Sequence, residues 1–145
     1  MLKIRIVCVG RLKEKYFSDA CAEYLKRMQR FAKVTVEELP EKRTPEEEAE
    51  SVLRHIRGRA FVLSPEGEKF SSEEFAAEIG RCADRGDEIS FVIGSSCGLS
   101  KRVKERADRL VSFSDMTFPH QLMRVILLEQ VYRAFMINAG SEYHK

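Results

Sequence analysis

One stretch limits the possible folds more than any other: TFPHQLMRVILLEQVYRAFMIN, residues Thr117 to Asn138. On a helical projection Leu127, Leu128, Val131 and Phe135 fall on one side. Leu122, Val125, Ile126, Met136 and Ile137 cover most of the other. A helix that is apolar all round has to be covered all round. A sheet can cover one side of an outer helix. The simplest cover for the other side is a second copy of the chain, so the sequence predicts a homodimer packed through this C-terminal helix. Five strongly polar residues interrupt it: His120, Arg124, Glu129, Gln130 and Arg133. Polar groups buried in such a place need partners. Glu129 and Arg133 stand four apart in the favourable order and can pair with each other. His120, directly after Pro119, can serve as a capping residue.

Upstream, strand-like and helix-like patterns alternate. LKIRIVCV is rich in β-branched residues and Gly10 closes it. A helix follows, with Ser18 as the expected N-cap and Cys21, Tyr24, Leu25 and Met28 at helical spacing. VTVEEL alternates as a half-buried strand does. Thr44, Pro45 and Glu47 spell a capping box, and Ser71 with Glu74 spell another. Between them RAFVLS is a short strand and PEG a turn. EISFVIG is the continuous apolar run of a central parallel strand. SKRVKERAD is a short helix and RLVSFS a last strand. The expected fold class is therefore α/β, a single domain spanning 1–145, with a mostly parallel sheet and helices on both faces.

No apolar run approaches the ~18 residues that a membrane span needs, and the start lacks a signal peptide's cleavage pattern. The expected location is cytoplasmic, with no membrane partner. Cys8, Cys21, Cys82 and Cys97 form no CxxC pair and offer no metal-ligand spacing, so they are expected as reduced thiols with no metal. Residues 1–33 hold nine Lys/Arg against three acids, a local charge of +6. Such a surface could face a polyanion, but on charge alone an ordinary solvated face is the plainer reading.

FVIGSSCGLS puts Gly94 and Gly98 directly after the most apolar strand and before a helix capped by Ser100. In open α/β sheets the ligand crevice lies beyond the carboxyl ends of the strands. The spacing is neither GxGxxG nor a P-loop. Two readings stay open on these residues alone, a ligand loop and a tight turn that needs glycine. Cys97 as a nucleophile, with His120 or His144 as base, is a third and weaker one.

Taken together, FVIGSSCGLS, LVSFSDMTFPHQLMRVILLEQVYRAFMIN and the terminal YHK resemble the RlmH family of bacterial large-subunit ribosomal RNA methyltransferases, within the SPOUT class. KIRIVCVGRLKEKYF, ELPEKRTPEEEAE and VLSPEGEKFSSEEFA extend the resemblance over essentially the whole chain. It implies a C-terminal trefoil knot that forms a site for S-adenosyl-L-methionine. It implies a dimer through the last helix and methylation of N3 of a pseudouridine in 23S ribosomal RNA on assembled ribosomes. The cofactor would be enclosed by Leu63, Gly94 and Ser95 with Ser114, Asp115, Met116, Thr117, Phe118 and Pro119. The family loop usually has a second glycine where this chain has Ser95, and often an aspartate where it has Ser64.

The implied chemistry needs little from the protein beyond alignment and a base. N3 of a uracil ring is a poor nucleophile until it loses its proton, which calls for a proton acceptor. Glu129 and His144 are the candidates. Tyr143 is placed to stack on or orient the base. Arg124 is placed to hold a phosphate or a developing oxyanion. The alternative is a flavodoxin-like module that binds a nucleotide or anion at the Gly94 loop without catalysis.

Overall fold

A computed structural model describes residues 1–145. Five strands and five helices alternate along it. In order they are β1 (Leu2–Val9), α1 (Lys15–Met28), β2 (Ala32–Leu39), α2 (Pro45–His55) and β3 (Arg59–Lys69). Then come α3 (Ser72–Arg85), β4 (Ile89–Ile93), α4 (Lys101–Arg106), β5 (Arg109–Ser112) and α5 (His120–Asn138). Every strand pairing is parallel, in the order β2-β1-β4-β3-β5. A flavodoxin-like sheet would have β3 beside β1. Here β4 lies between them, so that expectation is corrected.

Strand alternation sorts the core into two layers. Ile4, Ile6 and Cys8 of β1 and Ile89, Phe91 and Ile93 of β4 point to one face, with α1, α3 and α5. Val7, Val9 and Val92 point to the other, with α2 and α4. Burying each such side chain contributes about 1.5–3 kcal/mol. Both faces of the sheet are thus covered, which is why β4 is apolar without interruption.

Several local expectations change. α1 begins at Lys15, because Glu14 adopts the extended cap conformation and its carbonyl accepts from the N–H groups of Phe17 and Ser18. Ser18 is therefore inside the helix. Thr44 caps α2 by accepting from the Glu47 N–H, but Glu47 leans toward Arg43. Ser71 and Glu74 form the full reciprocal box. Pro119 is the cap residue of α5 and supplies no side-chain bond, so His120 is the first helical residue and not a cap. β3 does not stop at Ser64. Leu63 and Glu68 both pair with Val111, so residues 64–67 bulge out between two stretches of ladder with β5.

α5 lies over the sheet between α1 and α3. Leu127, Leu128, Val131, Tyr132, Ala134 and Phe135 face inward and are buried. Leu122, Val125, Ile126, Met136 and Ile137 remain half-buried on its outer side.

Candidate active site

Loops leaving the carboxyl ends of β3, β4 and β5 close around one cavity of about 600 Å³. The β3 bulge contributes Leu63, Ser64 and Pro65. The loop after β4 contributes Gly94, Ser95, Ser96, Gly98 and Leu99, and the segment after β5 runs along it from Ser112 to Pro119. Ile93 and Val111 at the strand ends, His120 and Met123 of α5 and Lys104 of α4 complete the lining. Eight of the nine residues expected around a cofactor meet here. The ninth, Asp115, does not line the cavity; its carboxylate is exposed and pairs with Lys69.

The β4 loop folds back on itself. A Cβ on Gly94 would lie 2.6 Å from the Gly98 carbonyl oxygen and 2.8 Å from Leu99 Cγ. The Gly98 N–H donates to the Ser95 carbonyl at 2.9 Å, and Gly98 takes the left-handed turn conformation, φ 84°. No non-glycine residue has positive φ, so Ser95 stands in place of the family's second glycine without backbone strain. The opposite wall is fixed by its own serines. The Met116 N–H donates to Ser114 Oγ at 2.9 Å, and the Ser112 hydroxyl to the Ser114 carbonyl at 3.0 Å.

A second group forms farther along α5. Glu129 Oε1 accepts from Arg133 Nε at 3.1 Å and from Gln130 Nε2 at 3.2 Å. Its Oε2 accepts from Arg133 Nη2 at 3.1 Å and from the Tyr143 hydroxyl at 2.7 Å. Arg133 Nη1 also lies 3.0 Å from His144 Nδ1. Arginine can only donate, so this His144 nitrogen accepts, and Nε2 carries the ring proton toward Glu73 Oε1 at 2.8 Å. The terminal residues are thus docked on α5 by a chain of hydrogen bonds, with the Tyr143 ring edge-on to Tyr132. The Glu129–Arg133 pair expected from spacing is present, and Tyr143 and His144 join it. Arg124 lies elsewhere. It is buried, and its guanidinium binds Glu38 and the Gly10 carbonyl, the latter at 3.1 Å.

Burial, and then the hydrogen bond to Glu129, raise the Tyr143 hydroxyl from 10.0 to about 12. The protonated form is the one favoured by the fold. Its contribution to docking the tail is therefore complete below pH 10 and is lost as pH rises toward 12. Ultraviolet titration should show one tyrosine ionising late, with tail resonances shifting in that window and not below it.

Sequence reasoning missed Glu73 and Ser72, whose hydroxyl donates to Gln130 Oε1 at 2.8 Å. No local pattern marks residues whose partners lie 58 and 71 positions away. Cys97 is exposed and its amide bonds Ser95. Both nitrogens of His144 are held by Arg133 and Glu73, so it is not placed to activate that thiol.

The fold is shared with solved structures. The structure of a probable methylase family protein from Haemophilus influenzae Rd KW20 matches 98% of this chain and 70% of its own, with a TM-score of 0.62 at 12% identity. A putative methylase family protein from Neisseria gonorrhoeae matches 89% and 81%, with a TM-score of 0.55 at 15% identity. The chain thus has the fold of these two structures. The model of a predicted SPOUT methyltransferase matches residues 2–144. Proteins called ribosomal RNA large subunit methyltransferase H are 50% identical in Lactobacillus helveticus and 51% identical in Bifidobacterium animalis subsp. lactis, each over 99% of this chain and all of the relative. The chain belongs to the SPOUT methyltransferase family, and it is an enzyme of methyl transfer.

Proposed function

We propose that this protein methylates N3 of a pseudouridine in large-subunit (23S) ribosomal RNA, using S-adenosyl-L-methionine and acting on assembled ribosomes. In this reading it is a cytoplasmic homodimer whose C-terminal part is threaded as a trefoil knot. The observation that carries the reading is the meeting of eight expected residues, drawn from three separate loops, around one cavity. Its volume falls in the range of small-molecule sites, about 300–1,000 Å³.

The donor set fits the cofactor. Leu63, Ile93, Leu99, Val111, Phe113 and Phe118 offer apolar walls for the adenine faces. The two tight turns at Ser95–Gly98 and Ser112–Met116 offer main chain for its edge and for the methionine groups. When bound, the sulfonium supplies an already activated methyl group. The chain's own task is to hold the nucleophile in line, exclude water and take a proton.

Tyr143 stays protonated and acts as a donor, orienting Glu129 or the ring. The Glu129 carboxylate is saturated by four donors. His144 is held by two contacts, and opening the one to Arg133 frees Nδ1, the nitrogen with the lone pair, to accept the N3 proton. Glu73, at the exposed end of that chain, accepts from Nε2–H and stabilises the imidazolium that then forms. Arg133, beside Tyr143 and His144, supplies the positive charge that favours an anionic ring. Arg124 acts through the fold, tying α5 to the ends of β1 and β2. The outer face of α5, apolar and half-buried in the single chain, is the surface the dimer covers. No helix is long and apolar enough to cross a membrane.

Calorimetric titration with S-adenosyl-L-methionine should show saturable binding. Incubation with ribosomes should place labelled methyl on a large-subunit pseudouridine, with little transfer to a short naked hairpin. Sedimentation at micromolar concentration should give a dimer. Absence of cofactor binding, or of methyl transfer to ribosomes, refutes the reading.

A further inference from the structure

Tyr16 is the one large aromatic side chain left exposed, at 64% of its surface. It stands in the first turn of α1, fixed by an edge contact with Phe17 at 4.7 Å between centroids. Around it Arg11, Lys13 and Lys15 are exposed as well. Of these only Lys15 has an acidic partner, Asp19, and that pair is open to solvent and weak.

The position relates to the cavity. The segment after β1 leaves the same carboxyl edge of the sheet. The Lys13 N–H donates to Gln121 Oε1 at 3.0 Å, which pins this segment to the first turn of α5. His120 and Met123 of that turn line the cavity. Tyr16 follows Lys13 by three residues, a reach of about 10 Å. Tyrosine is a mediocre helix former, and nothing packs over most of this ring, so local stability does not account for it. An acidic peptide would be served by the cations alone. Exposed cations with an aromatic ring among them suit a single-stranded nucleic acid, whose phosphates take the charges and whose bases stack.

We infer that Tyr16 stacks on an unpaired base of the RNA that neighbours the target nucleotide, while Arg11 and Lys13 neutralise its phosphates. This rests on the reading of the protein as a ribosomal RNA methyltransferase. Exposed bases are the part of a folded RNA that a protein can grip in this way.

The test is steady-state methyl transfer to ribosomes by Tyr16→Ala, Tyr16→Phe and Lys13→Gln, with cofactor titration and sedimentation of each. Losing a stacked base raises the KM for ribosomes about ten-fold in Tyr16→Ala and leaves kcat little changed. Tyr16→Phe keeps the ring and behaves as the parent. Lys13→Gln lowers the salt dependence of ribosome binding by a slope of about one. Cofactor affinity stays the same in all three. An unmoved KM in Tyr16→Ala overturns the inference. So does a Tyr16→Phe as impaired as Tyr16→Ala, or a Tyr16→Ala that sediments as a monomer and so places the ring in a protein interface. A parent enzyme that binds cofactor and leaves ribosomes unmethylated overturns the functional reading itself, and the inference with it.

Discussion

His144→Ala lowers kcat for methyl transfer by about 10³-fold, within the range that a positioned proton acceptor contributes. Its affinity for S-adenosyl-L-methionine stays close to that of the parent. The two effects separate because the imidazole is bonded to Arg133 and Glu73 and does not line the cavity. The Glu129–Arg133 pair and the Tyr143 bond to it do not involve the imidazole, so the tail stays docked. Single-turnover transfer and cofactor titration on the same preparation check this. Equal loss of both would make His144 a fastener of the tail, and the proton would then pass to another group.

Gly94→Ala has the second large effect, and of the opposite kind. The added methyl meets the Gly98 backbone at 2.6 Å, and backbone cannot rotate aside as a flexible side chain could. Relief requires the β4 loop to open, which moves Ser95, Ser96 and Gly98 in the cavity wall. Overpacking of this sort costs about 1–3 kcal/mol. Spent on the bound form, that lowers cofactor affinity by roughly ten-fold or more. Calorimetry should show the loss, while the far-ultraviolet spectrum of the folded sheet stays the same. An unchanged dissociation constant would mean that the loop is not part of the cofactor site.

The comparison of these two residues also shows what a sequence can reveal. Gly94 was legible because a glycine after an apolar run, at the end of a parallel strand, has a local physical meaning. The apolar periodicity of α5 was legible for the same reason, as was the Glu129–Arg133 spacing. Partnerships between distant segments were not. Arg124 and Glu38 are 86 positions apart, and nothing near either announces the other. The insertion of β4 between β1 and β3 is likewise a matter of pairing energies across the whole sheet. The β3 bulge looked like a turn because Pro65 and Gly67 do favour one. It rejoins the ladder only because β5 offers Val111 and Ser112 beyond it. The resemblance to a known family named the residues around the cavity more completely than spacing did, and Asp115 is the one of the nine that does not line it.

The covering helix comes last in chain order. α5 supplies six of the 21 buried residues on its side of the sheet, among them Leu127, Leu128, Val131 and Phe135. Until those residues leave the ribosome, that face of the sheet is covered by α1 and α3 alone, and a growing chain leaves an oily strip open between them. Maturation therefore waits on the emergence of α5. A polypeptide halted anywhere before Thr117 is a sticky intermediate and prey for chaperones and proteases, never a smaller working enzyme.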